Sequence, residues 1–69
     1  MLYSSLVDAA LPGDIIRAQA GGYLFLVLAV GEPYTNSIGM RTQEVTFLTA
    51  DKIDTHDFFL DYFKLVARP

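Results

Sequence analysis

The longest unbroken apolar run in this 69-residue chain, residues 23–30 (YLFLVLAV), sets the frame for reading the rest. It is too short to cross a bilayer as a helix, which takes about 20 residues. Gly21 and Gly22 precede it, and Gly31 and Pro33 follow, so the run reads as an extended strand, with a buried helix as the alternative. In a strand, Tyr23, Phe25, Val27 and Ala29 face one way and Leu24, Leu26, Leu28 and Val30 the other. A sheet wet on one side alternates apolar with polar residues. This one does not alternate, so it predicts protein on both faces: the domain's own core on one, and the N-terminal segment, a curled sheet or a second copy on the other.

The flanking patterns are shorter. Residues 2–10 fit helical spacing through Leu2, Leu6, Ala9 and Ala10 and strand alternation through Tyr3, Ser5 and Val7; we read them as a strand or extended arm. Leu11-Pro12-Gly13-Asp14 is a turn, since proline presets φ and glycine accepts positive φ. Residues 15–18 form a short strand with Ile15 and Ile16 on opposite faces, and residues 19–22 connect it to the central run. Residues 32–39 (EPYTNSIG) are the longest loop.

Residues 40–50 alternate again. Val45 and Phe47 face inward with Arg41 and Gln43 continuing that face, while Thr42, Glu44 and Thr46 point to solvent. Asp51-Lys52 turns the chain into a strand over residues 53–56, and Asp57 is placed to cap a single helical or 3-10 turn over residues 58–63 (FFLDYF). Residues 64–67 make a last strand. There is no repeat and no linker, so residues 1–69 form one domain. The simplest closure of five or six short strands is a small antiparallel barrel, which removes exposed edges.

Composition narrows the function classes. At 69 residues without cysteine, neither disulfides nor thiolate metal sites support the core. A hydrophobic content of 52% is rich for so short a chain and points to self-association. Eight acidic against five basic residues give a net charge of −3, and Arg17, Arg41, Lys52, Lys64 and Arg68 are scattered singly, unlike the clustered basic face of a duplex-binding module. The start, MLYSSLVDAALPGD, lacks the charged beginning and apolar centre of a secretory signal, so a cytoplasmic location is expected.

Four stretches carry a resemblance: Pro12-Gly13-Asp14-Ile15-Ile16, the run 23–30, Val45-Thr46-Phe47-Leu48 with Asp51-Lys52-Ile53, and residues 59–66 (FLDYFKLV). Together they resemble the small, uncharacterised SH3-like barrel proteins of tailed phages and bacteria. The resemblance covers about residues 11–66 and implies an all-β fold, a five- to six-stranded antiparallel SH3-like barrel with one short helical turn before the last strand, and a phage-infected or bacterial host cell. It implies no function, because such barrels host many unrelated roles. The chain departs from Tudor-type barrels, which gather aromatics into a cage, and from KOW-type barrels in being acidic.

Asp54, His56, Asp57 and Asp61 form the one cluster that resembles a site. Asp54 and His56 would share a strand face and could ligate one divalent metal; the competing reading leaves both solvated on an edge strand, with Asp57 as a cap and Asp61 on the turn's outer face, and it is the one adopted. No serine or threonine lies in a nucleophile signature, and the glycines make no phosphate-cradling loop. The sequence therefore predicts no enzyme, no cofactor, no resident metal and no small-molecule substrate.

Aromatics remain. Phe58-Phe59 and Tyr62-Phe63 give two aromatic faces on one turn, of which a small barrel buries one pair. Tyr34, Ile38, Phe58, Phe59, Tyr62 and Phe63 are thus the candidate interface, together with the outer face of the central strand. The expected role is a non-enzymatic interaction or structural module that forms a homo-oligomer or binds another protein. The alternatives are a nucleic-acid-binding barrel using Arg17, Arg41, Lys52 and Arg68, and an acidic inhibitor of a host protein.

Overall fold

The computed structural model describes residues 4–5 and 9–69. It is all-β: β1 (Ser4–Ser5), β2 (Ile15–Ala18), β3 (Leu24–Val30), β4 (Tyr34–Thr35), β5 (Arg41–Leu48), β6 (Ile53–Phe59), a 3-10 turn (Leu60–Tyr62) and β7 (Phe63–Ala67). Every pairing is antiparallel, in the order β1-β7-β2-β3-β5, with β6 on the other edge of β5 and β4 prolonging the β3 side. The sheet curls into a half-barrel, the short turn preceding its last strand. Of the ambiguous first ten residues, Ser4 and Ser5 pair with β7; Leu2, Tyr3, Leu6 and Val7 lie outside the described residues. No helix among the described residues is long and apolar enough to cross a membrane.

The core explains why these strands curl. Ala10, Ile16, Val27, Val45, Phe47, Phe58 and Leu60 are buried, with Phe25, Val30, Phe63 and Leu65 packed against them. Phe25 meets the edges of Phe47, Phe58 and Phe63 at centroid distances of 5.0, 5.5 and 5.9 Å, and Phe58 stacks on Phe63 at 4.4 Å. Edge and offset contacts of this kind favour a fixed ring arrangement over a fluid one.

The central strand departs from strict alternation. Val27 pairs with Phe47 but Ala29 pairs with Thr46, so a bulge at Leu28 resets the phase. Phe25, Val27 and Val30 face the core, while Leu24, Leu26, Leu28 and Ala29 are exposed on the outside. Of the two covers expected, the described residues supply one, the curled sheet closing over its concave side, and they leave the outer flank exposed. Tyr23 precedes the strand and is exposed.

Two polar devices tie the ends of the sheet together. Gln43, inward and buried as the alternation predicts, accepts from the Ala10 N–H through Oε1 (2.9 Å) and donates through Nε2 to the Ala10 carbonyl (3.2 Å) and the Gly31 carbonyl (3.0 Å). Gln43→Leu strands two buried backbone groups of Ala10 and the half-buried Gly31 carbonyl, and is expected to cost about 2–3 kcal/mol in urea unfolding.

The second device is at the first turn. There the Asp14 N–H donates to the Leu11 carbonyl at 3.1 Å. Gly13, at φ +92°, takes the position a side chain cannot: an added Cβ would sit 2.9 Å from Pro69 Cγ. Asp14 itself is fully buried. Its Oδ2 accepts from the Leu11 N–H (2.8 Å) and from Arg68 Nη2 (2.8 Å), and Oδ1 accepts from Arg68 Nε (2.9 Å). Arg68 also donates to the Ala9 carbonyl at 3.3 Å.

Two local expectations change. Asp57 does not cap the turn: it lies inside β6, and the residue preceding the 3-10 turn is Phe59, which supplies no side-chain cap. Pairing with β5 along the whole of β6 outweighs the local capping signal. Thr42 faces outward but is buried between Tyr34 and Phe59, its strand neighbours, with Oγ1 donating to the Met40 carbonyl at 3.1 Å.

Candidate interaction face

Strand register orders the outer face of the sheet. Residues paired across antiparallel strands share a face, and same-face rows recur every second residue. The first outer row is Lys64–Arg17–Leu24, two cations directly opposite each other beside a leucine. Arg17 and Lys64 also line an open hollow of about 300 Å³ with Ala18, Gln19 and Val66. The next row is Ile15–Leu26–Leu48–Ile53. Beyond it Leu28 and Ala29 lie beside Thr46 and Thr55, whose hydroxyls are 2.9 Å apart. Glu44 and Asp57 then stand opposite one another, and Tyr34–Thr42–Phe59 form the last row.

Apart from the half-buried Ile15, the leucines and isoleucine of this face are exposed. Leu24 keeps 53% of its surface, Ile53 63%, and Leu26, Leu28 and Leu48 between 36% and 39%. Isolated exposed apolar residues are ordinary; a contiguous row across four strands marks a contact surface.

The aromatic candidates divide. Phe58 and Phe63 are turned into the core, where they stack on each other. Tyr34 and Phe59 share the last outer row, and Tyr62 meets Phe59 edge-on at 5.8 Å. The barrel does bury one pair and leave one outside, but the pairs are Phe58 with Phe63 and Phe59 with Tyr62, because a strand followed by a 3-10 turn replaces a single helical turn. Ile38 stands 72% exposed at the tip of a turn whose backbone is held by Asn36 Oδ1, which accepts from the Ile38 and Met40 N–H groups.

The acidic cluster does not assemble. Asp54 and His56 do share a face of the edge strand β6, with His56 Nε2 3.3 Å from Asp54 Oδ2, and the His56 ring lies 5.8 Å from Phe47. The Thr55 backbone N–H holds the Asp54 carboxyl below the usual carboxylate value. A burial penalty works against it, and His56 and Lys52, whose Nζ is 3.6 Å away, add to the lowering. Asp57 is on the opposite face of β6 and Asp61 on the exposed 3-10 turn. Among the described residues no group of three or more His, Cys, Asp or Glu is placed to hold a metal ion. Two donors are half of a tetrahedral site.

The basic residues considered for nucleic acid do not converge either. Lys52 pairs with Asp54 and Arg68 with Asp14. The cation beside Arg17 is Lys64, a neighbour that only strand register supplies. The facing acids Glu44 and Asp57 were equally hidden, Glu44 reading in the sequence as one polar residue of an alternating strand and Asp57 as the cap of a turn. No family model matches the chain, and neither do curated proteins or solved structures.

Proposed function

We propose that this chain is a non-enzymatic interaction module that associates through the outer face of its sheet. The observation that carries the reading is the exposed Leu26–Leu48–Ile53 row, flanked by Leu24 and Leu28 on a face that the described residues leave open. Burying apolar area at about 25 cal/mol per Å² supplies the driving force, and the aromatic row Tyr34–Phe59 with Tyr62 extends the surface. Self-association also accounts for an apolar content unusual in a chain that has so little interior to fill.

A cytoplasmic setting in a bacterial or phage-infected cell belongs to the same proposal and rests on the sequence resemblance. Nucleic-acid binding is disfavoured because the net charge is −3, Arg68 is tied to the buried Asp14 carboxylate and Lys52 lies beside Asp54. Size-exclusion chromatography with light scattering tests the reading. A dimer or larger species that dissociates on dilution is expected, and a monomer mass at every concentration removes it.

A further inference from the structure

We infer that the outer face docks onto a second copy of itself about a two-fold axis, the Arg17/Lys64 end of one protomer lying over the Glu44/Asp57 end of its partner. This rests on the self-association reading above and specifies how the two copies meet. Three observations bear on it. The face is apolar in the middle, where Leu26, Leu48 and Ile53 stand in one row. It is basic at one end, where Arg17 and Lys64 are direct cross-strand partners. It is acidic at the other, where Glu44 and Asp57 are direct cross-strand partners.

Each charged pair is unfavourable in an isolated protomer, since like charges directly opposite on one sheet face repel. Among the described residues neither pair is relieved by an ion pair of opposite sign. The two pairs are three same-face rows apart, about 20 Å along strands that rise about 3.4 Å per residue. A two-fold axis through the apolar rows superposes each end of one protomer on the opposite end of the other. Both repulsions are then met by complementary charge, twice over, as the self-complementarity of an isologous interface requires. A standard interface takes about 800 Å² from each partner; that is under a fifth of the 4556 Å² surface of this molecule.

A charge-reversal pair of variants tests the arrangement. All four side chains are exposed, so Arg17→Glu with Lys64→Glu, and separately Glu44→Lys with Asp57→Lys, leave the core intact; circular dichroism checks that each folds. Each double variant alone should dissociate about tenfold or more readily than the wild type, because both of its charged contacts become repulsive. Mixed, the two should form a heterodimer of near wild-type affinity, since both contacts are then complementary. A wild-type dimer that neither variant weakens overturns this geometry while leaving self-association standing. Equal weakening without rescue on mixing also overturns it, and a wild type that stays monomeric overturns both. If a variant fails to fold, the single changes Lys64→Glu and Asp57→Lys repeat the mixing test with the same three outcomes.

Discussion

Phe58→Ala should unfold the domain. Phe58 is buried and touches Phe25, Phe47 and Phe63 at centroid distances of 5.5, 5.1 and 4.4 Å, so it is the hub of the aromatic core. Truncating a buried phenylalanine costs about 3–5 kcal/mol through lost burial and the cavity left behind. A core of this size rarely supplies more than about 3–5 kcal/mol in total, so the loss consumes the whole margin. Urea titration followed by circular dichroism should find Phe58→Ala largely unfolded without denaturant. Phe59→Ala, one residue away on the outer face, should stay folded with a loss under about 1.5 kcal/mol. If both variants fold equally well, the inward and outward assignment of β6 is wrong.

Arg68→Ala should be nearly as damaging, by a different route. It leaves the Asp14 carboxylate, buried in the intact fold, with the Leu11 N–H as its remaining described partner, and an uncompensated buried charge costs up to about 3–5 kcal/mol. Combining Asp14→Leu with Arg68→Met should recover much of that loss, because removing both charges removes the desolvation penalty along with the attraction.

The same pair sets a pH dependence. Burial alone would raise the Asp14 carboxyl, but the Arg68 and Leu11 hydrogen bonds and the guanidinium charge outweigh it and hold the group below its ordinary value. With the folded value depressed, the stabilisation is present in full above the unfolded-chain value of about 3.9. It is lost as pH falls through the folded value, because the unfolded chain takes up the proton first. Stability of the wild type should therefore fall more steeply below about pH 4 than that of Asp14→Asn, which has no such proton to gain. Parallel acid-unfolding curves would contradict the assignment to Asp14.

Much of the fold could be read from residues alone. The strand at residues 15–18, the Pro12-Gly13 turn, the inward Gln43 and the short turn before the last strand all follow from local chemistry, and local chemistry survives folding. The bulge at Leu28 could not be read. In an unbroken apolar run no polar residue marks the phase, so the change of face leaves no trace in the sequence. Asp57 misled for the opposite reason: its capping signal is real, but β5 offered its segment a full ladder of hydrogen bonds. The Asp14–Arg68 pair joins residues 54 positions apart, and nothing local announces such a partner. The charged ends of the outer face share that origin, since each side chain looks ordinary until register sets its twin beside it.

The single inserted residue in β3 has a consequence for the molecule's shape. Val27 and Val30 are three apart yet both face inward, so deleting Leu28 would restore a regular two-residue repeat with every interior identity preserved. Such a chain would keep its hydrophobic inventory and lose its bend. Length variation at this point in a descendant sequence would thus act as a dial on curvature, flattening the scaffold while leaving its composition untouched.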